Sequence, residues 1–282
     1  MSIPDPQELI KRIDDLPTLP RTVLKITELV NDPKSSAKDL ARVITEDQVL
    51  TARLLKLVNS SFYGFPQRIS TVTGAIVLLG FDAIRSLLLA TCVFDLFASR
   101  NRKNRQDQER FWDHSLGCAV GAKVIGNYLR HDKIEELFVS GLLHDIGKIV
   151  EMMFLADDFT RVIAAVNQEN ILMATAENKV LGYNHAEVGK LLAIEWNLPV
   201  KLAQVIAHHH QPHNAGSFAL DAAILHLADI FCRALSIGYA GDNKIPPLDK
   251  FAWDRLKINT GAIDTIMATM LREYRDINSF IT

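Results

Sequence analysis

Gly141-Leu142-Leu143-His144-Asp145-Ile146-Gly147-Lys148 sets a histidine, a carboxylate and an ammonium group inside an apolar run whose periodicity predicts helix over 133–154. Burying an ionised side chain without a partner is costly, so the His-Asp pair must find a donor or a metal. A lone His-Asp dipeptide is satisfied by a hydrogen bond to a nearby donor. This one has company. His114 stands in Phe111-Trp112-Asp113-His114-Ser115-Leu116, and His185 opens a later helix in Tyr183-Asn184-His185-Ala186-Glu187-Val188-Gly189. His208-His209-His210 follows Leu202, Val205 and Ile206, and Asp229 lies in Leu225-His226-Leu227-Ala228-Asp229-Ile230. Five imidazoles and two carboxylates on separate helices suffice for two divalent ions, because bundle cores build metal sites from side chains on facing helices. Successive helical residues diverge by about 100°, so at most two of the three adjacent histidines can face one site. A carboxylate such as Asp145 can bridge two ions about 3.5–4 Å apart. Imidazole with carboxylate suits Fe, Mn, Ni or Zn.

Outward from this stretch the helical period dominates, with no run of strict alternation. The expected class is all-α, a multi-helix bundle. Val23, Ile26, Leu29 and Val30 share one face of a first long helix stopped by Asp32-Pro33, and Ser36 with Asp39 spells a capping box. Leu50, Leu54, Leu55, Leu57 and Val58 continue to Asn59-Ser60-Ser61, and Phe62-Tyr63-Gly64-Phe65-Pro66 gathers three aromatics. Helices are expected over Val72 to Leu79 and Asp82 to Phe97, then around 110–130, 133–154, 158–170, 174–181, 184–196, 199–210 and 219–237. An amphipathic segment from Asp249 to Asn278 closes the chain. The polar stretch 99–109 marks a boundary, giving an N-terminal helical half over 1–105, a core over 106–240 and a C-terminal extension over 241–282.

Of the 282 residues, 48 % are apolar, enough for a large core without staples. The 31 basic and 33 acidic side chains nearly cancel, and a protein that grips nucleic acid normally shows a basic face. The short run Arg100, Arg102, Lys103 and Arg105 reads as a solvated linker. Cys92, Cys118 and Cys232 are odd in number and far apart, as free thiols in a reducing compartment are. The longest stretch free of charge and histidine, Ile69 to Phe81, is 13 residues, short of the roughly 18 that a membrane span requires. The N-terminal residues show no secretion signal. A cytoplasmic protein that binds neither nucleic acid nor membrane is expected.

The order His114, His144 with Asp145, and Asp229 resembles the HD superfamily of metal-dependent phosphohydrolases. Adding His185 and His209-His210 makes the set similar to the HD-GYP branch, which cleaves cyclic di-GMP with two or three metals. That resemblance selects His209 and His210 from the triple. It implies that Asp145 and Lys148 are the catalytic pair, with Lys148 contacting phosphate oxygens or protonating a leaving group. The rest of the chain resembles a neighbouring family, the HDOD proteins. The carriers are Leu16-Pro17-Thr18-Leu19-Pro20, the run from Asp47-Gln48-Val49-Leu50 to Val58-Asn59-Ser60, Tyr63-Gly64, and Ile69-Ser70-Thr71-Val72 through Leu79-Gly80. This likeness covers roughly residues 7–240 and implies an N-terminal helical half packed on an HD-type core in a bacterial signal-transduction module. Many members have lost the metal ligands, and this chain keeps them. Gln211-Pro212-His213-Asn214 after His210 holds no acidic residue and no Gly-Tyr-Pro, and Arg110 stands where trinuclear relatives carry Glu. These departures imply a two-metal centre without cyclic di-GMP hydrolysis. Two functions follow: a regulatory module whose partner is a signalling protein or a phosphate-containing small molecule, and a metal-dependent phosphohydrolase acting on a nucleotide or cyclic dinucleotide.

Overall fold

A computed structural model describes residues 5–12, 21–32, 34–59, 63, 65–81, 83–85, 87–88 and 105–281. Among these residues all regular structure is helical and no strand occurs, the all-α class that the periodicity predicts. In chain order the helices are α1 Pro6–Arg12, α2 Arg21–Asn31, α3 Ala37–Thr45, α4 Gln48–Val58, α5 Val72–Leu79, α6 Arg105–Tyr128, α7 Ile134–Leu143 and α8 Ile146–Phe154. They continue with α9 Ala156–Glu169, α10 Met173–Val180, α11 His185–Glu195, α12 Val200–His208, α13 Ala219–Ala234, α14 Lys250–Leu256 and α15 Ile263–Ile281. The chain forms two compact units, Met1–Leu16 with Asn101–Ala268, and Pro17–Arg100 with Thr269–Thr282.

In the second of these units the local signals act as the sequence predicts. The Ser36 side chain accepts from the Asp39 amide while the Asp39 carboxylate accepts from the Ser36 amide, closing the capping box of α3. Its apolar stripe, Leu40, Val43 and Ile44, is buried with Val23 and Ile26 of α2 and Leu54 and Val58 of α4. Asn59 fastens the following loop by donating to the Ile69 carbonyl and accepting from the Ile69 amide, each at 2.7 Å. Tyr63 and Phe65 stack with centroids 5.9 Å apart. Phe62, Leu16 to Pro20, Cys92, Arg100 to Lys103 and most of the helix expected over Asp82 to Phe97 lie outside the described residues.

In the larger unit α6 packs on α7 and α13, and α11 packs on α12 and α8. Two expectations are corrected here. The helix predicted over 133–154 is broken at His144-Asp145, where Asp145 has φ −100° and ψ 11°. His144 Nδ1 donates to the Gly141 carbonyl at 2.7 Å, and this short-range bond competes with the backbone ladder at the break. The closing segment is likewise two helices, parted at Lys257, which sits in the left-handed region at φ 51°. Among the described residues one segment, Pro212–Ala234, is long and apolar enough to cross a membrane, but 78 % of its apolar window is buried inside the protein. It is the kind of helix that forms the core of a bundle.

Two glycines bracket the break and let backbones meet. A Cβ on Gly141 would lie 2.5 Å from Ala119 Cα on α6, and one on Gly147 would fall on the His185 carbonyl oxygen. These approaches bring α6 and the start of α11 up to His144-Asp145. Gly147→Ala should therefore destabilise the protein by about 3 kcal/mol, the upper range for overpacking against a rigid neighbour. Gly126→Ala, whose added methyl first meets the tip of the Leu137 side chain, should stay within about 1 kcal/mol because a side chain can yield and alanine favours the helix. Urea unfolding of the two variants measures the difference, and equal costs would refute the close-approach argument.

Candidate metal centre

Asp145 ends up at the meeting point of five helices because the α7–α8 break turns its carboxylate inward. Its two oxygens face different neighbours. Oδ2 lies 3.2 Å from His144 Nε2, 3.6 Å from His114 Nε2 and 2.6 Å from Lys148 Nζ. Oδ1 lies 3.1 Å from His185 Nε2 and 3.8 Å from His209 Nε2. His114 Nε2 is also 3.0 Å from Asp229 Oδ1, and His210 Nε2 is 2.9 Å from His185 Nε2. All seven residues singled out as metal ligands by sequence are thus brought to one place. Six of them are 3 % exposed or less, and His210 is half-buried.

The outward nitrogens explain which atoms point in. His144 Nδ1 and His209 Nδ1 donate to the carbonyls of Gly141 and Ile206, each at 2.7 Å, and His185 Nδ1 donates to Glu177 Oε2 at 2.6 Å. Each such bond fixes the ring and leaves a lone pair on Nε2 aimed at the centre, the arrangement metal-binding histidines show. His144 Nε2, His209 Nε2 and Asp145 Oδ1 are buried with no hydrogen-bond partner, which is costly unless a cation fills the space between them. Three groups of donors, His114-Cys118-His144-Asp229, His144-Asp145-His209 and His185-His209-His210, each keep their ligand atoms within 4.8 Å of one another. The residues present therefore fit a metal.

Protons hold the charges in balance when no ion does. Burial opposes the charged form of His114, yet Cys118 and Asp229 raise it to about 10. Burial likewise opposes His144, but Asp145 and Cys118 raise it to about 9. Burial disfavours the Asp145 and Asp229 carboxylates, and their cationic neighbours nonetheless hold both well below the usual range. Burial drives His209 and His210 down, helped by His144 and His185 at His209 and by His209 and His185 at His210.

Several contributors were not singled out by sequence. Arg233 Nε donates to Asp229 Oδ1 at 2.8 Å while its Nη1 donates to Asp242 Oδ1 at 3.0 Å. Its spacing of four from Asp229 was the legible signal. Glu177 orients His185 and is itself buried beside Glu151, whose carboxyl is pushed up by burial and by Glu177. Nothing in the local sequence marks either. Lys148 is fully buried, donating to Asp145 Oδ2 and to the Ala240 carbonyl at 2.8 Å. His226 spends both ring nitrogens on the backbone, at His209 O and the Asp249 amide, and His131 and His213 pair with Asp221 and Asp249. Beside Asp145 opens a small pocket lined by Phe111, Trp112, Ser115, Leu142, Ile146 and Ile149.

The profile of the HDOD domain matches residues 16–212. The chain belongs to the HDOD family. A crystal structure of an HDOD domain protein with unknown function from Geobacter sulfurreducens is 29 % identical, superposes with a TM-score of 0.74, and the match covers 94 % of this chain and 95 % of that one. A structure named a putative phosphohydrolase, from Shewanella amazonensis SB2B, shares the fold at 24 % identity with a TM-score of 0.75, covering 97 % and 98 %. An uncharacterized protein of Treponema pallidum (strain Nichols) is 29 % identical over 208 residues, 72 % of this chain, which spans only 39 % of that relative's length. The HDOD match takes in His114, His144, Asp145, Lys148, His185, His209 and His210, and it ends before Asp229.

The raised imidazoles give this HDOD protein a pH signature. Below pH 9 the metal-free His114 and His144 carry protons that a metal must displace. Rising pH removes that competition, so affinity should climb until about pH 10 and then level. At pH 7, titration calorimetry in buffers of different ionisation enthalpy should register at least two protons released, those of His114 and His144, on filling this half of the centre. Uptake of protons, or none exchanged, contradicts the assignment.

Proposed function

We propose that this HDOD chain is a signal-transduction module whose core holds two divalent transition-metal ions, drawn from Fe, Mn, Ni and Zn, in a sensing or structural role. His114, His144, Asp145 and Asp229 would hold one ion, and Asp145, His185, His209 and His210 the other. Bound there, the pair would supply Lewis acidity toward phosphate oxygens. The chain's own groups do the arranging: Lys148 and Arg233 hold the two carboxylates by charge-assisted hydrogen bonds, and Glu177 fixes the tautomer of His185.

The observation that carries the regulatory reading is enclosure. Six donors are 3 % exposed or less, and the pocket beside Asp145 is small and lined mainly by apolar side chains. Such enclosure argues against direct access of a cyclic dinucleotide to Asp145. The proposed partner is a signalling protein or a compact phosphate-containing ligand, neither nucleic acid nor membrane. A second reading, a metal-dependent phosphohydrolase acting on a nucleotide or cyclic dinucleotide, draws on the donor set and on Lys148 lying 2.6 Å from Asp145. Reaching it requires the pocket to open.

Elemental analysis of protein grown with metal should count close to two equivalents of transition metal per chain, one for each side of Asp145. Asp145→Ala should lose both while remaining helical by circular dichroism, because two close cations then lack compensating charge. Retention of the full complement by the variant would show that Asp145 does not bridge. Turnover of cyclic di-GMP with Mn²⁺ or Fe²⁺ under reducing conditions should be weak or absent. A rate around 1 s⁻¹ or higher that vanishes in Asp145→Ala would make the phosphohydrolase reading the correct one.

A further inference from the structure

Cys118 lies one helical turn beyond His114 on α6 and faces the same side. It is fully buried, and its Sγ is 3.5 Å from His114 Nε2, the ring nitrogen that also faces Asp229 and Asp145. One donor atom each from Cys118, His114, His144 and Asp229 falls within 4.8 Å of the others. Ligand atoms about 2.0–2.3 Å from a common ion stand about 2.8–4.6 Å apart, from neighbouring to opposed positions, so these four can share one. His144 Nε2, one of the four, has no hydrogen-bond partner. Cys232 lies nearer the other nitrogen of the same ring and is hydrogen-bonded to the Cys118 thiol. Its Sγ is 3.4 Å from His114 Nδ1 and 3.5 Å and 3.6 Å from the His114 and Ile237 carbonyls. It backs the histidine without reaching the centre.

We propose that Cys118 Sγ is a direct ligand of the ion held by His114, His144 and Asp229. This rests on the metal-centre reading above. It makes that half of the centre a mixed nitrogen, oxygen and sulfur site, biased toward thiophilic ions such as Zn²⁺ and Cd²⁺ over Mn²⁺. Burial keeps the metal-free thiol protonated. Coordination releases that proton to solvent as the metal–sulfur bond forms, with no change of oxidation state.

Cobalt(II) substitution tests the assignment. The wild-type protein should show visible ligand-field bands together with a near-ultraviolet thiolate-to-cobalt charge-transfer band. Cys118→Ser should keep cobalt and the ligand-field bands and lose the charge-transfer band. Cys232→Ser should keep both. Cys118→Ser should also lose affinity for Cd²⁺ relative to Mn²⁺ by roughly tenfold or more. X-ray absorption at the zinc edge of the zinc-loaded wild type needs no variant, and it should find a sulfur neighbour at about 2.3 Å. Ligand-field bands without the charge-transfer band, its survival in Cys118→Ser, or a zinc shell free of sulfur would overturn the sulfur ligand and leave the metal centre standing. Failure of the wild type to bind cobalt or zinc at all overturns both.

Discussion

The Asp145 carboxylate sits in the interior with one oxygen turned to His114 and His144 and the other to His185 and His209. A buried anion between opposed lone pairs is tolerable only where cations surround it, and much of the larger unit serves that condition. The break between α7 and α8 turns the side chain inward. Gly141 and Gly147 let neighbouring backbones come close enough to present their imidazoles. Lys148 donates a hydrogen bond to one oxygen, and Arg233 does the same for Asp229. The centre is thus built into the packing of the bundle, and its geometry cannot relax without moving helices.

Around the inward atoms lies a second layer that decides which state each ring adopts. Backbone carbonyls at Gly141 and Ile206 and the Glu177 carboxylate accept from Nδ1 and commit Nε2 to the centre. These acceptors belong to the same rigid helices that carry the ligands, so the donor set is preorganised. Such rigidity favours holding a metal, and it narrows access. Enclosure and donor quality therefore pull toward different functions: the donors suit phosphate chemistry, while the closed shell suits a regulatory module that reads occupancy or transmits a packing change.

Helical class, the capping box at Ser36-Asp39 and the buried stripes of α2, α3 and α4 were legible because each depends on residues within one or two turns. The candidate ligands were legible for different reasons. His144, Asp145 and Asp229 lie inside apolar periodic runs and violate the pattern of their own helices, which shows without knowing what they touch, whereas His209 and His210 were chosen from the triple by the family resemblance alone. Arg233 carried a weaker local mark, its four-residue spacing from Asp229.

What the sequence by itself determined is therefore which side chains must be buried and need compensation, since burial and helical period are properties of short segments. The tertiary structure alone decided how they are compensated. Continuous apolar character over 133–154 concealed the break at His144-Asp145, whose inward turn follows from packing against α6 and α11 at Gly141 and Gly147. It separated Cys118, beside His114 Nε2, from Cys232, behind Nδ1, although both had read as ordinary free thiols. It paired Glu177 with His185, eight residues on and in another helix. Side-chain direction across helices depends on crossing geometry, which no spacing within one segment encodes.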